Sequence, residues 1–114
     1  ELREFSVLAS ESDLKYVRLC STNDVPVGRL KQFNVKGDEI LVANLNGQFF
    51  CLDARCTHIG APLVEGELSG DVLTCPWHGS RFNVKSGVVL EGPAEKPLKV
   101  YRSTIKEGSL FLEL

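Results

Sequence analysis

Cys56, His58, Cys75 and His78 are the residues of this 114-residue chain whose types and spacing can do chemistry. They lie in CTHIGAP, which begins at Cys56, and in CPWHGSRF, which begins at Cys75, with 16 residues between His58 and Cys75. The chain has two histidines, and each stands close to a thiol. Cys56 and His58 are two apart, so extended or loop backbone points both the same way. Cys75 and His78 are three apart, with Pro76 setting a turn between them. Gly60 and Gly79 follow the two imidazoles closely, and glycine permits positive φ and close backbone approach, which lets N–H groups aim at buried anionic sulfur. Each loop therefore offers one thiolate, one imidazole and a tight backbone. Together they make a metal site of two sulfurs and two nitrogens.

Two metal chemistries suit that donor set. Zinc takes two cysteines and two histidines tetrahedrally, commonly with like residues paired within one segment; here each loop holds one of each. A [2Fe–2S] cluster needs two protein ligands per iron, so two mixed loops serve it if one iron takes both cysteines and the other both histidines. A two-disulfide framework is the third reading of four cysteines. It fits less well, because small disulfide-dependent domains usually lack the apolar content this chain has.

The elements that must position these loops are short strands. Tyr16–Leu19 and Gly28–Val35 carry interrupted apolar alternation around a loop at Asn23–Pro26. Glu39–Leu45 and Gln48–Leu52 flank Asn46-Gly47, a strong two-residue hairpin signal. Asp71–Thr74 leads into the second loop, Phe82–Val84 and Val88–Leu90 flank Ser86-Gly87, and Leu98–Ile105 and Leu110–Leu114 flank Glu107-Gly108. No stretch keeps a helical stripe over three turns; Leu63–Ser69 has room for one helical turn at most. The expectation is an all-β single domain, with Glu1–Ser12 as a tail or an edge strand. The Pro/Gly-rich EGPAEKP (Glu91–Pro97) is a candidate cover for the Cys/His loops. A formal charge of −2 argues against phosphate-backbone binding. No apolar run reaches the ~18 residues of a membrane span, and no secretory signal is visible, so the expected location is the cytoplasm.

With CTHIGAP and CPWHGS taken together, and GPA at Gly92–Ala94 beside them, the chain resembles a Rieske-type ferredoxin from about Tyr16 to Leu114. The resemblance implies an antiparallel β-sandwich or barrel base, with a small cluster-binding part inserted at about residues 55–90. It implies one Rieske [2Fe–2S] cluster per chain, held by Cys56, His58, Cys75 and His78, with imidazole Nδ1 on iron and Nε2–H at the surface. Gly60, Trp77, Gly79, Ser80, Phe82 and Pro93 are its expected surroundings. Two ferric irons, two sulfides and two thiolates sum to zero, against −2 for a four-cysteine cluster, so an added electron is better tolerated. High-potential members of the family carry a further cysteine in each loop, joined as a disulfide; Ala61 and Trp77 stand there in this chain. They also place a sulfur-directed tyrosine where Phe82 stands, whereas Ser80 matches the family serine that reaches a bridging sulfide. The expected midpoint is therefore low to middling within the Rieske range, flat with pH near neutrality and bending only in alkali.

The remaining candidates read more plainly. Cys20 and Cys51 are expected to be buried inert thiols, with a bridge between them as the alternative. Trp77 is either a partner contact or a shield. Lys85, Lys96 and Lys99 are expected to be solvated, as are Glu65, Glu67 and Asp71, the last three having an acidic rim as their alternative. The expected function is one-electron transfer between a reductase and an oxygenase or other acceptor, with no nucleic acid, membrane span or small-molecule substrate and no catalysis by the chain itself. The alternatives are a subunit or domain of a larger oxidoreductase, and a zinc-stabilised interaction module.

Overall fold

The run DEILVANL, strand β3 (Asp38–Leu45), is buried continuously from Ile40 to Asn44. A strand covered on both faces loses the alternation of a half-buried one, and here its two faces feed different cores. Ile40 and Val42 pack with Cys20, Val25, Val35, Cys51, Leu110 and Leu112. Leu41 and Ala43 point the other way, toward Leu52, Leu63, Leu73, Phe82 and Leu98. In the computed structural model, which describes residues 16–113, β3 thus belongs to a middle layer. The Glu1–Ser12 segment lies outside the described residues.

The fold is all-β, in three antiparallel sheets. The middle sheet runs β2 (Leu30–Val35), β3, β4 (Gln48–Asp53) and β9 (Val100–Tyr101). On one side lies a sheet of β1 (Tyr16–Ser21), β11 (Ser109–Glu113) and β10 (Ser103–Lys106). The third sheet orders β5 (Glu67–Ser69), β6 (Val72–Thr74), β7 (Arg81–Asn83) and β8 (Val89–Glu91). The β3–β4 hairpin turns at Asn46 and Gly47 with φ of 55° and 94°, as a two-residue turn with both centres left-handed requires. Asn44 is the buried polar residue that fixes it, donating to Val25 O at 2.7 Å and accepting from Gly47 N at 2.8 Å.

Two segments differ from their sequence readings. Leu98–Ile105 is not one strand: Val100 and Tyr101 pair with β4, Ser103 to Lys106 pair with β11, and Arg102 is where the chain changes sheets. Asp53 holds the crossing, accepting from Lys99 N at 3.1 Å and from the Tyr101 hydroxyl at 2.8 Å. Leu63–Ser69 holds the single helical turn, a 3-10 turn at Leu63–Glu65, and then strand β5, too short to show a period of its own. A 3-10 turn at Thr22–Asp24, capped by Ser21, also opens the loop expected at Asn23–Pro26.

Between β7 and β8 the chain turns at Gly87, φ 80°. Gly87 O accepts from Leu98 N at 2.8 Å, and a Cβ at Gly87 would collide with the Leu98 carbonyl. This close approach ties the third sheet to the segment that returns to the middle one.

Candidate metal centre

Both Cys/His segments form loops closed by their own backbone. In the first, Cys56 N donates to Ala61 O and Gly60 N donates to Cys56 O, each at 2.9 Å, and Arg55 and Pro62 form an isolated bridge. The thiol end is drawn into the core, with Cys56 4% exposed, while His58 and Ile59 are left at the exposed tip. In the second, Cys75 N donates to Ser80 O at 2.7 Å. Cys75 is 2% exposed, and His78 and Gly79 at the tip are exposed. The expected positive φ is present at Gly60 (78°) and Gly79 (75°). His78 itself has φ 65°, a conformation costly for a residue with a Cβ and concentrated at functional sites.

The four candidate donors meet like with like. The His58 and His78 ring centroids are 5.5 Å apart, edge to face at 72°. Cys75 is in contact with the Cys56 thiol and is hydrogen-bonded to Trp77 N–H. Burial pushes the Cys75 thiol up, the Trp77 N–H opposes that rise, and the neighbouring Cys56 adds to it. A bound cation would reverse that balance, since metal ligation draws off the thiol proton. Among the described residues no three His, Cys, Asp or Glu side chains gather around a single metal point. The arrangement is two thiols inside and two imidazoles outside, which suits two linked metal ions better than one zinc.

A third loop, residues 91–97, touches both. Thr57 Oγ1 donates to Lys96 O at 2.7 Å, and Ala94 N donates to the Ser80 hydroxyl at 3.0 Å. Ser80 is fully buried, and with its oxygen accepting from Ala94 its own proton is left to donate elsewhere. Pro93, at a cis Gly92–Pro93 bond, is exposed at the loop's crest. Phe82 is fully buried beneath the second loop, and Ala61 is buried in the first. All four cysteines are free thiols.

A family model described as a Rieske [2Fe-2S] domain matches residues 15–102. This chain belongs to the Rieske [2Fe–2S] family. It is 35% identical over 98 residues to ferredoxin CarAc of Metapseudomonas resinovorans, covering 85% of this chain and 92% of that protein. It is also 30% identical over 103 residues to human apoptosis-inducing factor 3, covering 90% of this chain but only 17% of that longer protein. Among solved structures it is similar, with a TM-score of 0.82 and 34% identity, to a chain in a complex of reduced oxygenase and oxidized ferredoxin in carbazole 1,9a-dioxygenase; the match covers 87% of this chain and 93% of that one. A Rieske cluster is the cofactor of this family, and the donor set fits it: paired buried thiols, paired exposed imidazoles and a buried hydroxyl with a proton to give.

The other sequence candidates take no part in the donor set, although the Lys96 carbonyl holds Thr57 of the first loop. Cys20 and Cys51 lie in the core between β3 and the β1–β11–β10 sheet. Burial raises both thiols, Cys51 to about 11, so they stay protonated and unreactive near neutrality. Lys85, Lys96, Glu65 and Glu67 are exposed and Asp71 half-buried. Lys99 is also exposed, and its ammonium lies 4.7 Å from the Tyr101 ring centroid. Sequence reading missed Thr57 as the tether to Lys96, and missed Arg55 as the partner of Glu39. Neither pairing has a local signature, since 39 and 16 residues separate the partners.

Proposed function

We propose that the chain is the Rieske ferredoxin of an oxygenase system, carrying single electrons from a reductase to the oxygenase, with Cys56 and Cys75 on one iron and His58 and His78 on the other. The observation that carries this reading is the spatial sorting of the donors, thiols buried and in contact with one another, imidazoles exposed and 5.5 Å apart at the surface. The bound cluster supplies reversible one-electron chemistry. The protein's part is to hold it with two closed loops, to keep water from the sulfur side, and to leave the imidazole edges accessible to a partner. Ile59 and Trp77, each 47% exposed, flank those edges and offer an apolar contact of the small, transient kind that electron carriers use.

Residues 55–90 are proposed as the cluster-binding part and the rest as its base. In support, strands β5, β6 and β7 and both loops lie within that span, and β8 overlaps its end. Among the described residues no helix is long and apolar enough to cross a membrane, and we propose the cytoplasm as the location. A second reading is favoured by the match to a small part of apoptosis-inducing factor 3: the same domain serving inside a larger oxidoreductase. Native gel filtration with identification of co-eluting proteins separates the two.

The ligand assignment is tested on anaerobically purified protein. It should contain two irons and two acid-labile sulfides per chain and give a rhombic resonance on reduction, and His58→Ala should abolish that resonance. Protein free of iron, or a His58→Ala variant with an unaltered spectrum, refutes the assignment.

A further inference from the structure

Arg55 immediately precedes Cys56, and each of its three guanidinium nitrogens donates a hydrogen bond. Nε donates to Glu39 Oε1 at 2.7 Å and Nη2 to Glu39 Oε2 at 3.2 Å, a two-pronged grip on one carboxylate. Nη1 donates to Gly60 O at 3.0 Å. Glu39 is on β3, so this one side chain joins the middle sheet to the far end of the loop that carries His58. Gln32 Nε2, from β2, adds a 3.3 Å bond to Glu39 Oε2, the oxygen that also accepts from Arg55 Nη2. Gly60 is held twice, its N–H by Cys56 O and its carbonyl by Arg55. The first loop is therefore clamped from outside as well as from within.

Charge is the second part of the observation. Arg55 remains cationic at every accessible pH, and its hydrogen bonds hold the Glu39 carboxyl below the usual carboxylate range. Both charges persist at neutrality and oppose each other, Arg55 next in sequence to the proposed ligand Cys56 and Glu39 paired to it from β3. An ionic fork on the surface contributes little to stability, with side chains 55% and 36% exposed. Its more telling effect is on an added electron, whose energy depends on every fixed charge nearby.

We infer that Arg55 and Glu39 are a positioning and tuning pair for the Rieske centre: the fork fixes the His58 loop, and its balanced charges hold the midpoint potential at its working value. The inference rests on the ligand reading above. Glu39→Gln leaves the cation unopposed and moves the midpoint up; Arg55→Gln leaves the carboxylate unopposed and moves it down. Loosening alone would move both variants the same way, since each breaks the same fork. Arg55→Lys keeps the charge and loses the two-pronged grip, so its midpoint stays near that of the parent.

The experiment is a spectroscopic redox titration of the parent, the three variants and His58→Ala, with the rate of iron release to a chelator measured on the same samples. The expected result is midpoint shifts of opposite sign for Glu39→Gln and Arg55→Gln that shrink from about 10 mM to about 1 M salt, as the screening length shortens. Iron release should be about fivefold faster in all three fork variants, the equivalent of roughly 1 kcal/mol of lost clamping. Shifts of the same sign, or none, or release rates equal to the parent's, overturn this inference alone. A His58→Ala protein that kept the parent spectrum would overturn the ligand reading, and this inference with it.

Discussion

Thr57, between Cys56 and His58, donates its hydroxyl to the carbonyl of Lys96 at 2.7 Å. This bond joins a Cys/His loop to the Pro-containing loop 39 residues later in the chain. Together with the Ala94–Ser80 bond it fastens residues 91–97 to both loops. Replacing Thr57 by Val preserves shape and removes the donor. The expected cost is about 1 kcal/mol of stability and faster bleaching of the visible spectrum in air, with Thr57→Ser restoring the parent rate. A Val variant as durable as the parent would show that the tether does not matter.

Ser80 and Phe82 should move the midpoint in opposite directions. Ser80 is fully buried with a proton to donate, and on the proposed ligation Ser80→Ala would remove a hydrogen bond that favours the more negative reduced centre. Phe82→Tyr adds a donor at the position the family resemblance assigns to a tyrosine. Each change is expected to be on the order of 50 mV, the electrical equivalent of one hydrogen bond of about 1 kcal/mol. A titration in which Ser80→Ala does not fall, or Phe82→Tyr does not rise, contradicts these roles.

Gly87→Ala should be among the most damaging small substitutions. It combines a left-handed backbone, φ 80°, with a collision against the Leu98 carbonyl. The expected loss is about 2 kcal/mol or more, read as a lower denaturation midpoint. Glycines whose Cβ would meet open space, such as Gly108, should lose only the backbone part of that.

Alkali should destabilise the fold through two groups. Tyr101 is pushed up to about 12 by burial and by its hydrogen bond to Asp53, and Cys51 to about 11 by burial. Both pKa values are raised above those of the unfolded chain, so the folded state holds these protons more tightly. Their contribution is complete below the unfolded values and lost as pH rises, for Cys51 from about 9 to about 11 and for Tyr101 from about 10 to about 12. Tyr101→Phe should therefore flatten the fall of stability above pH ~10. A stability profile as steep as the parent's there would exclude this account.

The all-β class and the two Cys/His loops were legible in the residues alone, because both are local patterns. A ligand loop announces itself through residue types a few positions apart, and the β3–β4 hairpin through Asn46-Gly47 with apolar runs on either side. Even the positive φ at Gly60 and Gly79 followed from their places beside the histidines. The left-handed His78 did not, since nothing local marks a residue with a Cβ for that conformation.

Which of these side chains stand together, and what secures them, depends on how distant segments pack. The two faces of β3 look alike in sequence, yet one feeds the core behind the cysteines and the other a separate core. Arg102 carries no mark of a sheet crossing; the break arises because β4 and β11 compete for the same returning segment. The ties from Thr57 to Lys96, Ala94 to Ser80 and Arg55 to Glu39 are side-chain hydrogen bonds across 14 to 39 residues. Such bonds depend on two distant segments arriving within about 3 Å, a condition set by the packing of whole sheets and not by any short run of residues.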